Sequence, residues 1–158
     1  MYEDFYKLTA NPFRLTPNPE FYYASKGHTR VMAYLQYGFV QGDGFVVVTG
    51  PIGTGKTTLI QMLLEELKEN PNLIIAQIVT TQLEANDLLK MVSASFKLNY
   101  KGLSKPVLLK NLEKYLESQV SDGKRVLLIV DEAQNLPVRS LEELRMLSNY
   151  QVKGKQLL

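Results

Sequence analysis

The sequence predicts an α/β fold, a parallel sheet covered by helices. Three observations carry this. Three short apolar runs, Phe45–Val48, Leu73–Val79 and Val126–Val130, alternate with segments of helical spacing. The runs are apolar on both faces, as strands of a covered parallel sheet are. A glycine-rich loop ending in Lys56 and Thr57 joins the first run to the helix after it.

Composition fits one globular unit. The chain has 158 residues, 45% hydrophobic and 22% charged, with 10 glycines and 7 prolines. Such a chain hides roughly 70% of its unfolded surface. Disordered tails, collagen-like fibres and disulfide scaffolds are excluded. Eighteen basic and sixteen acidic residues leave a net charge of +2, which neither demands nor excludes nucleic acid. There is no cysteine, so no disulfide, thiol nucleophile or thiolate metal site. The single histidine has no partners for zinc. No apolar stretch reaches the ~18 residues of a membrane helix. The polar start Met1-Tyr2-Glu3-Asp4 is unlike a signal peptide. A cytoplasmic location is expected, with the inner face of the membrane as an alternative.

The elements follow in order. Residues 1–24 read as an irregular segment packed onto a body. The first forty-five residues hold eleven of the fifteen aromatics, most expected as core anchors. Pro12, Pro17 and Pro19 oppose helix there. Residues 25–158 form the α/β core. Val31, Met32, Tyr34, Leu35 and Phe39 predict an amphipathic helix over His28–Phe39, ended by Gly42-Asp43-Gly44. Phe45–Val48 reads as the first buried strand. Leu59, Ile60, Leu63, Leu64 and Leu67 predict a helix over Thr57–Lys68, stopped by Asn70-Pro71-Asn72. Leu73–Val79 is the second strand and Glu84–Phe96 a helix. Ser104 is expected to cap a helix running to about Val120, with Pro106 in its first turn. Ser121-Asp122-Gly123 turns the chain into Val126–Val130, the third strand. After a loop at Leu136-Pro137, Ser140 is expected to cap a helix to about Ser148. Gln156-Leu157-Leu158 looks like the start of another apolar strand.

Two motifs carry chemistry. Gly50-Pro51-Ile52-Gly53-Thr54-Gly55-Lys56-Thr57 fits the phosphate-loop pattern G-x-x-x-x-G-K-[ST]. Its glycines let backbone N–H groups curl toward phosphate oxygens, and the following helix adds its N-terminal charge. Lys56 can reach the β and γ phosphates, and the Thr57 hydroxyl can ligate Mg²⁺. Thr58 adds a hydroxyl near the α-phosphate. The second motif is Leu127-Leu128-Ile129-Val130-Asp131-Glu132, an apolar strand ending in two carboxylates. Ligands bind at that edge of a parallel sheet. Asp131 can hold the Mg²⁺ of Thr57 through its water shell. Glu132 can polarise an attacking water as general base. Together they point to nucleoside triphosphate hydrolysis. The absence of a guanine-reading Asn-Lys-x-Asp element favours ATP.

With these motifs, Asn11-Pro12-Phe13, Thr16-Pro17-Asn18-Pro19, Gly27-His28-Thr29-Arg30 and Asp131-Glu132-Ala133-Gln134-Asn135-Leu136 resemble the ExeA-type AAA+ ATPases of the P-loop superfamily over nearly the whole chain. These bacterial ATPases are linked to general secretion, pilus biogenesis and exosortase-type export. The resemblance implies a sheet of order 5-1-4-3-2, with the phosphate loop after strand 1 and the acidic pair ending strand 3. Strand 4, between those two, would begin near Gln156. The chain would then be the N-terminal part of a larger ATPase, without strands 4 and 5, arginine finger, second sensor and lid. Strands 1 and 3 would lack their shared neighbour. The resemblance also puts Phe13, His28 and Arg30 near the adenine, although a core anchor and a helix N-terminus explain them as well. Thr80 or Thr81 stands where many AAA+ proteins place an Asn that restrains the catalytic Glu.

The leading expectation is Mg-dependent ATP hydrolysis that drives or times assembly of a secretion or envelope machine, in a homo-oligomer. Alternatives are a DNA-associated regulator like the TniB or TnsC transposition proteins, and a nucleotide-gated module with little hydrolysis. Tyr100, Lys101, Lys105 and Lys110 are all that suggests DNA, and they read better as a solvated helix face. Asp131-Glu132-Ala133-Gln134 alone suggests a helicase, without the motifs that would accompany it.

Overall fold

The structure, a computed structural model, describes residues 2–8, 22–42, 44–79, 82–152, 155–156 and 158. Phe13, Thr80 and Thr81 lie outside the described residues.

Among the described residues these helices and strands follow one another. They are α1 (Tyr2–Phe5), α2 (Lys26–Gln41), α3 (Lys56–Leu67), β1 (Leu73–Val79), α4 (Ala85–Ser95), α5 (Lys105–Ser121), β2 (Arg125–Asp131), α6 (Val138–Ser148), β3 (Gln151–Val152) and β4 (Lys155–Gln156). A short 3₁₀ turn at Ala133–Asn135 joins β2 to α6.

β1 and β2 pair in parallel, from Leu73 opposite Arg125 to Val79 opposite Asp131. The β1–α4–α5–β2 connection is the helical crossover that parallel strands need. α4 packs on β1, α5 on β2, and α4 touches both α5 and α6. Their apolar stripes meet in one core of Leu88, Leu89, Val92, Leu108, Leu112, Leu116, Leu144 and Leu147, against Ala76, Ile78 and Val126. This adjacency is the 3–2 pair of the implied strand order.

A second, smaller cluster joins α2 and α3 through Leu35, Leu59 and Leu63, with Tyr22, Val31 and Val48 against it. α2 starts at Ser25, whose Oγ accepts the His28 amide at 3.2 Å. It ends at Gly42, in the left-handed region at φ 78°, which donates to the Gly38 carbonyl. α2 bridges the two ends of β2. Its C-terminal Phe39 lies 4.5 Å beneath the Arg125 guanidinium, at the start of β2. Its N-terminus lies beside the loop that meets Asp131, at the end of β2.

Several expectations need correction. Phe45–Val48 belongs to no strand, and Phe45, Val46 and Val47 are exposed. Among the described residues no strand pairs with it, so its apolar β-branched character finds no ladder. The parallel sheet flanked by helices is as expected, but its faces are covered unequally: Ala76, Ile78 and Val126 are buried on one face, while on the other Ile129 is buried and Gln77 and Val79 are exposed. Gln156 does not open a parallel strand. It pairs antiparallel with Gln151 in a two-residue ladder.

At the N-terminus, Tyr2–Phe5 is a turn of helix within the segment expected to be irregular. Phe5, Tyr6 and Tyr23 are exposed rather than anchored, while Tyr22 packs against the smaller core cluster. Ser140 is not a cap. α6 starts two residues earlier, and the buried Ser140 hydroxyl donates to the Leu83 carbonyl at 2.7 Å. That bond ties α6 to the segment before α4. Ser104 holds the cap position of α5, but its side chain makes no capping bond.

Candidate functional site

The phosphate-loop sequence forms a tight turn on the end of α3. Gly53 and Gly55 sit at φ 80° and 79°, a region that costs an L-residue about 1–2 kcal/mol. Gly50 serves differently: a Cβ there would lie 3.0 Å from Thr54 Oγ1. Thr54 Oγ1 donates to the Pro51 carbonyl at 2.8 Å, closing the loop on itself. Ile52 stands fully exposed at its tip. Thr58 is half-buried in the first turn of α3.

Gly55 is also the N-cap of α3, and no side chain caps that helix. Its first amides therefore lack the side-chain oxygen that would normally satisfy one of them. The helix dipole puts partial positive charge at the same place. Lys56 folds back over the loop, its Nζ donating to the carbonyls of Gly50 and Pro51 at 2.9 Å each.

The two motifs meet. Thr57 Oγ1 donates to Asp131 Oδ2 at 3.0 Å, across 74 positions of sequence. Asp131 closes β2, and its other oxygen accepts the Glu132 amide at 2.9 Å. Glu132 then takes φ 56°, left-handed for a residue with a long side chain. This turn bends the chain out of β2 and leaves Glu132 exposed. The Gln134 side-chain amide donates to Glu132 Oε2.

Asp131 and Thr57 would suit a magnesium ion. That ion needs few protein ligands, commonly one or two carboxylates with a hydroxyl, and completes its octahedron with water and substrate phosphate. Among the described residues no three His, Asp or Glu side chains cluster to form a denser metal cage.

The residues assigned to adenine separate. His28 reaches the loop, its Nε2 lying 2.8 Å from the Thr54 carbonyl oxygen. Arg30 is about 200° further round α2. It donates to the Tyr34 hydroxyl at 3.3 and 3.1 Å and sits 5.5 Å from that ring. The Tyr34 hydrogen bond raises the Arg30 pKa above its ordinary value, with the Tyr34 charge adding to it. Of the basic patch, Lys105 is paired with Glu143 and Tyr100 packs against the core, while Lys101 and Lys110 are exposed.

Sequence reasoning missed the contact of His28 with the loop. The one signal was that a polar ring-bearing residue lies in the first turn of the helix preceding the loop, and spacing alone does not say where it points.

Comparison with known proteins agrees with this architecture. General secretion pathway protein A of Aeromonas hydrophila is 39% identical over 159 aligned residues, covering all of this chain and 29% of the relative. The chain thus spans under a third of the length of that relative. No solved structure matches. The family described as AAA domain matches residues 40–158, from the end of α2 through both motifs. By that match, and by the ExeA-type resemblance that the relative bears out, this chain belongs to the AAA domain family of P-loop proteins.

Proposed function

We propose that this chain binds Mg-ATP at the Gly50–Thr57 loop and is the N-terminal part of an ATPase that serves a bacterial secretion or envelope machine. The observation that carries the reading is the Thr57–Asp131 hydrogen bond, which brings the two motifs to one point.

In this reading the loop amides and the uncapped start of α3 receive the phosphates. Lys56 exchanges its two neutral carbonyl acceptors for phosphate oxygens. The carbonyls are neutral and the phosphate oxygens anionic, so the exchange adds the attraction of opposite charges to bonds that the ammonium makes in either state. Thr57 and Asp131 would hold magnesium, which when bound neutralises charge on the phosphates. Glu132 is the general base that takes a proton from the attacking water. The Gln134 amide orients its carboxylate, and the left-handed turn at Glu132 sets where that carboxylate starts.

The pathway follows the relative's name, general secretion pathway protein A. The homo-oligomer and the cytoplasmic site, at the inner membrane face, belong to the same reading. Among the described residues no helix is long and apolar enough to cross a membrane. In the whole protein a further strand inserts between Phe45–Val48 and β2, giving both the neighbour that each lacks here. This is supported by the exposure of Phe45, Val46 and Val47 and by β2 having one partner strand among the described residues.

The test is phosphate release from ATP, with magnesium and with EDTA, on this chain and on a longer one. Magnesium-dependent release by the longer chain supports the reading. Release that survives Lys56→Ala contradicts it.

A further inference from the structure

The single histidine of the chain is held at both ring nitrogens. Nε2 lies 2.8 Å from the Thr54 carbonyl oxygen, and Nδ1 lies 2.9 Å from Ser25 Oγ. A carbonyl only accepts, so Nε2 carries the hydrogen and donates. In the neutral ring Nδ1 then accepts from the Ser25 hydroxyl. The same Ser25 oxygen accepts the His28 amide and caps α2, so the ring is fixed to the frame of its own helix. Tyr22 packs beside it, ring centres 5.6 Å apart.

On the other side the ring meets the loop closely at Gly55. A Cβ on Gly55 would approach Nε2 to 3.3 Å. The imidazole is therefore a strut between the N-terminus of α2 and the peptide that leads into Lys56. Both ring nitrogens being engaged, neither is left to bond a nucleobase.

We propose that His28 is a positioning residue of the phosphate loop: clamped by Ser25, it holds the Thr54 carbonyl and so orients the amides that receive the phosphates. The effect on affinity rests on the nucleotide reading above. The tautomer and the contact do not.

Two arms of one experiment separate them. In the nucleotide-free chain, ¹⁵N-detected NMR sees one imidazole. The expected spectrum has hydrogen on Nε2, slowed in exchange, and a neutral-ring Nδ1 of acceptor type. Hydrogen on Nδ1 overturns the proposal. In the second arm, Mg-ATP affinity is measured by calorimetry for the chain, Lys56→Ala, His28→Ala and His28→Gln. One neutral hydrogen bond corresponds to a weakening of about 3- to 10-fold for His28→Ala. His28→Gln, whose amide can still donate to Thr54, restores most of it. Thermal unfolding of each variant shows that it is folded. If His28→Ala binds like the parent while Lys56→Ala does not, the nucleotide reading stands and the positioning role falls. If the folded parent itself does not bind, the nucleotide reading falls and takes the role in affinity with it.

Discussion

Gly53 and Gly55 offer a matched pair for testing how the loop is held. Both lie at nearly the same positive φ, 80° and 79°. An alanine at either pays about 1–2 kcal/mol for left-handed backbone. The gain from a less flexible unfolded chain is common to both. Their surroundings differ. Nothing lies within 4 Å of a Cβ on Gly53, whereas one on Gly55 meets His28 Nε2 at 3.3 Å. The ring must then give by a few tenths of an ångström, and the 2.8 Å bond to Thr54 lengthens and weakens. The full worth of that bond, about 0.5–1.5 kcal/mol, is the ceiling on the added loss. In a chain of this size 1 kcal/mol moves Tm by roughly 2–4 °C. Gly55→Ala should therefore melt below Gly53→Ala by up to about 6 °C, read by circular dichroism. In a His28→Ala background the difference should vanish, because the double-mutant cycle removes the contact. Equal melting of the two variants, or a gap that persists without His28, would refute the strut.

Other outcomes follow from the same structure. If Glu132 is the base of the proposed reaction, Glu132→Gln should lower phosphate release by about 10²–10⁴-fold while leaving Mg-ATP affinity close to the parent's. Ser140→Ala takes a 2.7 Å bond from the Leu83 carbonyl and should cost about 1 kcal/mol in urea unfolding. Leu112→Ala, wholly buried between the helices, should cost about 2–5 kcal/mol, the largest loss of the set. Burial raises the pKa of Tyr115, and burial followed by the charges of Glu113 and Glu143 raises that of Tyr150. Their contribution to stability is present below the unfolded tyrosine pKa of about 10 and is lost as pH rises through the folded values. Tyr150→Phe should therefore flatten the alkaline limb of a stability–pH curve.

Much of the helical framework was legible because its apolar residues recur at helical spacing. α4 and α5 fall within a residue or so of their expected bounds for that reason. The approach of Thr57 to Asp131 was legible because the two motifs, a loop after one apolar run and a carboxylate at the end of another, are expected at the same edge of a parallel sheet. Phe45–Val48 was misread because a strand is a relation between two segments, and a run of valines carries no record of its partner. Ser140 was misread as a cap because a serine before a helix usually is one. Its real acceptor, Leu83, lies 57 positions away. His28 was legible as a residue of interest, but the Thr54 carbonyl that it reaches is a backbone atom and leaves no mark in the sequence. The exposed aromatics Phe5, Tyr6 and Tyr23 show the same limit: composition registers apolar surface without saying what covers it.

The central claim is that the two motifs form a working nucleotide site on this chain. The most direct measurement is calorimetric titration with Mg-ATP, beside Lys56→Ala. Lys56 contributes charge-assisted bonds worth about 1.5–3 kcal/mol each, so its loss should weaken binding at least ~10-fold. Saturable binding by the parent and its loss in Lys56→Ala is the predicted result. A parent chain that unfolds cooperatively, and so is folded, yet takes up no nucleotide would contradict the account.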